Sequence, residues 1–146
     1  MHTYCSIYIH VVFSTWDRCP FIDHEVRSRF HAYIAGTARN LGLMDVTVGG
    51  VEDHLHLIAR FSPVLSISPV IGTMKKSSTD WMQETFNDRF RWQRGFAAFS
   101  VSPDRVPKVT RYIERQEEHH KRVSFRDELE KLLKELGISI DDVHLL

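Results

Sequence analysis

The sequence predicts an α+β domain with a ferredoxin-like split β-α-β core, in which a mostly antiparallel sheet carries packed helices and further helices follow at the C-terminus. Segments with the period-2 alternation of strands and segments with the apolar spacing of helices follow one another as β-α-β-β-α-β. Two more helical segments come after them. The 146 residues contain no Gly/Ser/Pro-rich linker and no repeat, so we assign 1–146 to one domain.

The first half of the chain predicts a strand, a helix and a hairpin. Positions 6–14 alternate as in a strand. Asp23 can cap a helix, and apolar residues then recur every four positions at Val26, Phe30, Ile34 and Ala38. Positions 44–48 and 55–61 read as two strands, and the glycines between them at 49–50 indicate a hairpin.

The second half predicts a helix, a strand and two C-terminal helices. Ser68 and Pro69 form a good N-cap and first turn for a helix reaching about position 85. Positions 96–101 read as a strand, and a helix from Pro107 to about His120 follows. Ser124 and Asp127 resemble a capping box, and the last helix then has an apolar stripe at Leu129, Leu132, Leu133 and Leu136.

The composition is that of a globular protein, with 42% hydrophobic and 26% charged residues. No apolar run approaches the ~20 residues that span a bilayer, and the N-terminus lacks signal-peptide features. We therefore expect a cytoplasmic protein, without a membrane partner. Cys5 and Cys19 have neither CxxC spacing nor partner cysteines, so we expect structural thiols.

The charge balance argues against a protein that coats nucleic acid nonspecifically. Lys plus Arg equals Asp plus Glu at 19 each, whereas phosphate neutralisation needs an excess of cations. Acidic residues are concentrated near the C-terminus, and positions 75–94 are richer in Lys and Arg. A nucleic-acid-binding face is therefore expected toward the middle of the chain.

Two histidines alternate with apolar residues in a predicted strand. Because successive strand side chains point to opposite faces, His54 and His56 share one face, about 7 Å apart, and can grip one metal ion. A third ligand must come from elsewhere. Alternatively, one histidine is a hydrogen-bonded core residue and the other lies on the surface. Zinc hydrolases also use this spacing, so the pair alone does not select a chemistry.

A tyrosine and a glutamine share one face of the helix predicted from Pro107. Tyr112 and Gln116 are four residues apart; a phenol can act as a covalent nucleophile and an amide oxygen can ligate a hard cation. The alternative is an ordinary amphipathic helix with a half-buried Tyr and a solvent-facing Gln. His119 and His120 can interact with the helix dipole or act as extra metal ligands.

Several short motifs carry a resemblance over almost the full length: Tyr8-Ile9-His10-Val11-Val12-Phe13-Ser14-Thr15, Asp53-His54-Leu55-His56-Leu57, Met74-Lys75-Lys76-Ser77-Ser78, Trp92-Gln93-Arg94-Gly95-Phe96, Tyr112-Ile113-Glu114-Arg115-Gln116 and His119-His120. In this order and spacing they resemble the IS200/IS605 family of transposases. These belong to the HUH nuclease superfamily, which is named for two histidines around a hydrophobic residue.

The resemblance implies a metal-dependent tyrosine nuclease that cleaves and rejoins single-stranded DNA near hairpin ends. It implies His54, His56 and Gln116 as ligands of Mg²⁺ or Mn²⁺, and Tyr112 as the nucleophile that forms a 5′-phosphotyrosine. It also implies a homodimer, in which each active site combines the histidines of one subunit with the tyrosine helix of the other.

Candidate DNA contacts combine cations with aromatic rings, the usual means of holding single strands. We predict DNA binding by Lys75, Lys76, Ser77 and Arg94, with Arg18 as a weaker candidate, on the strength of the resemblance. Trp81, Phe90 and Trp92 lie among the basic residues of this region and could supply stacking platforms. Their alternative role is in the core, which we favour for Trp81.

Three other functions remain open at the level of sequence. A domesticated relative that processes repetitive palindromes would keep the same catalytic residues. A noncatalytic nucleic-acid-binding domain would not need His54, His56, Tyr112 and Gln116 intact. A zinc hydrolase would need a third ligand and a base, but not Tyr112.

Overall fold

The computed structural model describes residues 2–138, and its centre is a four-stranded sheet. The strands are β1 (Tyr8–Ser14), β2 (Met44–Gly50), β3 (His54–Arg60) and β4 (Ala97–Val101). Their order is β2-β3-β1-β4, and each neighbouring pair is antiparallel. This order confirms the predicted split β-α-β core, and β2 and β3 form the predicted hairpin.

Two helices cover one face of the sheet, α1 (His24–Asn40) and α2 (Ile67–Thr85). Alternate residues of the central strands point into this layer, among them Phe13, Leu55 and Leu57, each no more than 1% exposed. Burial of side chains of this size contributes roughly 1.5–3 kcal/mol each. The main hydrophobic core therefore lies between β1, β3 and these two helices.

The remaining helices lie on the opposite face of the sheet: α3 (Val106–Glu114), α4 (Gln116–His119) and α5 (Phe125–Glu135). A second, smaller apolar cluster seats α5 against β1 and β4; it consists of Val12, Ala97, Phe125, Leu129 and Leu133, with Phe99 at its edge. The alternate residues of β3, including both histidines, point into this second layer.

Sequence signals for helix ends are confirmed at two helices and wrong at one. The side chains of Asp23 and Ser124 accept hydrogen bonds from backbone N–H groups at the starts of α1 and α5. The helix α2, however, begins after Ser66 rather than at Ser68. Pro69 then lies in the first turn, where its missing N–H would have had no intrahelical partner.

The helix predicted from Pro107 to His120 is interrupted at Arg115. This residue has φ −104° and ψ 20°, outside the helical range, and separates α3 from α4. Its N–H still donates to the carbonyl oxygens of Arg111 and Tyr112, which tightens the last turn of α3. Gln116 therefore begins a new turn and is buried beneath it.

No helix between residues 2 and 138 is both long and apolar enough to cross a membrane. Cys5 is exposed and Cys19 half-buried, and both are free thiols.

A glycine lets α3 approach the sheet beside the histidine strand. Gly49 pairs with His56 across β2 and β3. A Cβ atom at Gly49 would overlap the backbone carbonyl of Ile113 on α3. Only glycine leaves room for this close packing, so Gly49 sets the height of α3, and of Tyr112, above the sheet.

We predict that Gly49→Ala displaces α3 and lowers the free energy of unfolding by roughly 1–3 kcal/mol, as overpacking of a rigid contact does. Urea denaturation measures this change. Gly72→Ala is the matched control, because a Cβ there meets nothing within 4 Å. The control should be neutral or stabilising by up to roughly 1 kcal/mol. Equal effects of the two substitutions would contradict this role of Gly49.

Candidate metal and tyrosine site

His54 and His56 project from β3 into the layer formed by the C-terminal helices. Both side chains are fully buried, and their ring centroids are 5.3 Å apart. Their neighbours in sequence, Leu55 and Leu57, point into the main core on the other side of the sheet. The strand alternation therefore places the two imidazoles together on the face that α3, α4 and α5 cover.

Tyr112 and Gln116 meet this histidine pair within the same chain. His54 Nε2 donates to Gln116 Oε1 at 3.1 Å, and the Tyr112 ring centroid lies 5.6 Å from that of His56. Gln116 is 1% exposed, so it is not the solvent-facing residue of an ordinary amphipathic helix. All four predicted site residues are brought together by one subunit.

The carboxylate of Glu128, on α5, lies at the centre of this cluster, and the sequence analysis did not identify it. One oxygen lies 2.8 Å from His56 Nε2 and 3.4 Å from His54 Nε2. The other accepts hydrogen bonds from the Tyr112 hydroxyl and from Gln116 Nε2. Burial alone would raise the pKa of Glu128, but its histidine neighbours outweigh burial and hold the pKa well below its usual range.

A sequence signal for Glu128 existed. Its helix buries Phe125, Leu129 and Leu133, and Glu128 occupies a position on that same apolar stripe. A carboxylate on a buried helix face needs a partner. The signal therefore predicted an interaction but could not name the partner.

Each site histidine has an outer partner on its second ring nitrogen. Asp53 Oδ1 lies 2.7 Å from His54 Nδ1, and His10 Nε2 lies 2.7 Å from His56 Nδ1. Because a carboxylate only accepts, His56 Nε2 donates to Glu128, and His56 Nδ1 accepts from His10. Such outer contacts fix the orientation of imidazoles that bind metals.

The donor atoms of the cluster fit a divalent metal ion. His54, His56, His120 and Glu128 each offer one atom, and these atoms lie within 4.8 Å of one another. Two acceptors, Gln116 Oε1 and Glu128 Oε1, face His54 Nε2. Burial alone would lower the pKa of His54, but Asp53 and Glu128 raise it, so the arrangement favours a positive charge here. Imidazole, carboxylate and amide oxygen are ligands for Mn²⁺, and the oxygens suit Mg²⁺.

The Tyr112 hydroxyl is held at the edge of the same cluster. It donates to Glu128 Oε2, and His119 Nε2 lies 3.5 Å away. Burial, together with the negative charge of Glu128, raises the pKa of Tyr112 above its usual value. The phenol is therefore protonated in this arrangement.

The predicted DNA contacts lie away from the histidines. Lys75, Lys76 and Ser77 are on α2, on the other side of the sheet. Lys75 Nζ donates to the carbonyl oxygens of Gln93 and Gly95, at 2.5 and 2.8 Å, and burial lowers its pKa to about 8. The hydroxyls of Ser77 and Tyr33 are 2.6 Å apart.

Three of the predicted DNA contacts have exposed side chains: Lys76, Arg94 and Arg18. Lys76 Nζ lies 3.3 Å from Asp80 across one turn of α2. Arg94 and Arg18 are exposed side chains, and Arg18 has a left-handed backbone with φ 50°.

Two of the three aromatic residues considered as stacking platforms belong to the core. Phe90 is 0% and Trp92 is 8% exposed, so neither offers a face to a base. Trp81 stacks on Phe30 and packs against the core, as favoured from the sequence. Trp16 has an exposed ring, and the Arg91 guanidinium lies over it, 4.1 Å from the ring centroid.

A sequence model of the family described as "Transposase IS200 like" matches residues 3–116. The chain belongs to this family. The matched residues contain His54, His56, Tyr112 and Gln116 of this IS200-like transposase. They end before Glu128, so the helix that supplies the central carboxylate lies outside the match.

Two solved structures share the fold. A candidate transposase from Deinococcus radiodurans R1 is 21% identical, with a TM-score of 0.64, over 80% of this chain and 95% of that one. A REP-associated tyrosine transposase bound to a REP hairpin is 16% identical, with a TM-score of 0.58, over 84% of this chain and 76% of that one. Among curated proteins, none shows significant sequence similarity to this chain.

We predict that acid destabilises the protein through His10. Burial, and next the charge of His56, lowers the pKa of His10 to about 3. Between that value and the unfolded pKa of ~6.5, the unfolded chain binds more protons, so stability falls as the pH falls. From about pH 7 to about pH 5, the wild type should lose roughly 1–2 kcal/mol more than His10→Gln. Denaturant titrations at both pH values measure this, and parallel losses would contradict it.

We predict that Mn²⁺ raises the thermal unfolding midpoint of the wild type, because a ligand of the folded state stabilises it by about 2.7 kcal/mol at 100 times its Kd. The shift should vanish in His54→Ala/His56→Ala. His24→Ala, an exposed histidine, is the matched control and should keep the shift. A full shift in the double variant would place the metal elsewhere.

Proposed function

We propose that this chain cleaves and rejoins single-stranded DNA through a covalent bond between Tyr112 and a 5′-phosphate. One observation carries the proposal. In an IS200-like transposase, the Tyr112 hydroxyl, the Gln116 amide and the imidazoles of His54 and His56 converge on one buried cluster. A hydroxyl nucleophile beside a candidate metal site is the arrangement that phosphoryl transfer requires.

The proposed ligands of Mg²⁺ or Mn²⁺ are His54, His56 and Gln116. Further ligand atoms at the same place come from Glu128 and His120. When bound, such an ion polarises a phosphoryl oxygen and stabilises the departing oxygen. Asp53 and His10 orient the two imidazoles from behind. The chain thus supplies both the proposed ligands and the hydrogen bonds that orient them.

Tyr112 performs the attack in this proposal. Its oxygen forms the new bond to phosphorus and the bond from phosphorus to the 3′-oxygen breaks. The phenolic proton is released to solvent and the departing 3′-oxygen takes up a proton from solvent, so that a free 3′-hydroxyl remains. Because the Tyr112 hydroxyl is the donor in its hydrogen bond to Glu128, the lone pairs of its oxygen stay free to attack the phosphate. The phosphotyrosine keeps the phosphodiester bond energy, so a 3′-hydroxyl can reseal the strand without ATP.

The proposed substrate is single-stranded DNA with a hairpin, a proposal supported by the likeness to the hairpin-bound transposase. Lys75, Lys76, Ser77, Arg94 and Arg18 remain the proposed contacts away from the nucleophile. A cavity of about 290 Å³ supports this role for Lys75 and Lys76, since they line it together with Arg91.

A homodimer in the cytoplasm of a prokaryote stays part of the proposal. The dimer is not needed to assemble the site, because one chain contains all four site residues. An exchange of the tyrosine helix between subunits would have to replace this arrangement.

A second candidate function is the processing of repetitive palindromes by a domesticated relative. The likeness to a REP-associated tyrosine transposase favours it. The chemistry at Tyr112 would be the same, and only the DNA target and its fate would differ. Near-identical genomic copies with flanking hairpins would indicate a mobile element instead.

We predict that wild-type protein, incubated with hairpin-containing single-stranded DNA and Mg²⁺ or Mn²⁺, forms a covalent adduct that survives a denaturing gel. Tyr112→Phe removes the nucleophile, and His54→Ala removes a ligand, so both should form none. Tyr8→Phe is the control and should keep the adduct, because the Tyr8 hydroxyl donates to Asp45, which is not a residue of the cluster. An adduct in Tyr112→Phe would refute the tyrosine assignment, and cleavage without any adduct would favour a zinc hydrolase.

A further inference from the structure

A cavity rich in cations lies beside Tyr112, and neither His54 nor His56 is among the residues that line it. We infer that Lys108, Arg111, Arg115 and Arg122 bind the backbone phosphates of the DNA strand that flanks the bond attacked by Tyr112. The inference rests on the proposed function, because it takes the strand cleaved there as the ligand. None of these four cations was a candidate from the sequence.

The four cations line one cavity of about 400 Å³, together with Tyr112 and His119. Lys108 and Arg111 lie one turn apart on α3, and Arg115 follows directly after its last residue, so the three form one stripe of cations along the cavity. Tyr112 lies one turn from Lys108 and beside Arg111. Arg122 closes the cavity from the segment after α4. The nucleophile thus sits in the wall of a cationic cavity.

The cations of the cavity lack ion-pair partners among residues 2–138. Within residues 2–138, none of the four cations lies within 4.0 Å of a carboxylate, although Glu118 also lines the cavity. Arg27 and Arg60, elsewhere on the surface, each pair with an acidic residue. Like charges at this helical spacing repel one another. A bound polyanion would remove that repulsion.

The shape of the stripe fits a chain of phosphates better than a single one. From Lys108 to the last residue of α3, Glu114, the helix rises about 9 Å at about 1.5 Å per residue, and Arg115 follows it. A second cavity of about 280 Å³ lies on another side of Tyr112, and its lining balances Arg105, Lys108 and Lys131 against Asp127, Glu128 and Glu135. The excess of positive charge beside the nucleophile therefore lies in the first cavity, which is where the phosphates should bind.

The lining also indicates which part of DNA is contacted. Among the described residues that line the first cavity, Tyr112 and His119 are the only aromatic ones, so these residues offer no separate stacking platform for bases. Arginine and lysine recognise phosphates without regard to sequence. The contact should therefore contribute affinity and register at the nucleophile but no sequence preference.

The test is a binding titration in the Tyr112→Phe background, which prevents covalent capture. Fluorescence anisotropy follows a labelled hairpin-containing single strand and a labelled oligothymidylate. Arg111→Gln/Arg115→Gln/Arg122→Gln should weaken binding of both by roughly tenfold or more. The slope of log affinity against log salt should fall by about 0.7 for each lost phosphate contact.

The matched control is Arg29→Gln/Arg39→Gln/Lys134→Gln, which removes the same charge from exposed positions of α1 and α5. It should leave the affinity within about twofold. Arg111→Lys/Arg115→Lys/Arg122→Lys keeps the charge and should restore most of the binding. Equal weakening by the control, or unchanged binding in the Gln variant, would overturn the inference.

The binding titration tests the phosphate site and the covalent-adduct assay tests the proposed nuclease, so either can fail without the other. An adduct with wild-type Tyr112, combined with unchanged binding in the Gln variant, would overturn the phosphate site alone. Lost binding in the Gln variant, without any wild-type adduct, would support the phosphate site and refute the nuclease. Loss on the oligothymidylate but not on the hairpin strand would also count against a sequence-independent contact.

Discussion

The buried carboxylate of Glu128 is the interaction on which the arrangement of this site depends. It joins α5 to the histidine strand through His54 and His56, and to the tyrosine helix through Tyr112 and Gln116. A buried carboxylate is costly unless it is paired and hydrogen-bonded. Here, hydrogen-bond donors surround both oxygens. The same carboxylate is a candidate metal ligand and the acceptor for the proposed nucleophile, so it links the structure of the site to its chemistry.

Because side chains alternate along the strands, one face of the sheet forms the apolar core and the other carries the candidate site. On β1 and β3, one set of side chains forms the apolar core with α1 and α2, and the other set includes His10, His54 and His56. A polar cluster can therefore be built in the C-terminal layer without disrupting the core. Gly49 then brings α3 close enough for its residues to reach that cluster.

Positive and negative charges are concentrated in different places, although the formal net charge of the chain is zero. The cluster of His54, His56, His120 and Glu128 offers ligand atoms that favour a cation. The cavity beside α3 is lined by cations that have no ion-pair partner among the described residues and favour an anion. Tyr112 lies between them, so a phosphodiester approaching it would meet positive charge on one side and the candidate metal site on the other. The zero net charge bears on nonspecific binding and not on this local field.

The sequence by itself determined the order of elements, the shared face of His54 and His56, and the adjacency of Tyr112 and Gln116, because these follow from periods of two and about 3.6 residues. Tertiary structure decided the contacts between residues that are far apart in the sequence, because no periodic pattern encodes them. His56 meets Glu128 across 72 positions and His10 across 46, and such contacts depend on how α5 and β1 pack. Packing also decided that Phe90 and Trp92 fill the core, since composition does not distinguish a buried aromatic ring from an exposed one.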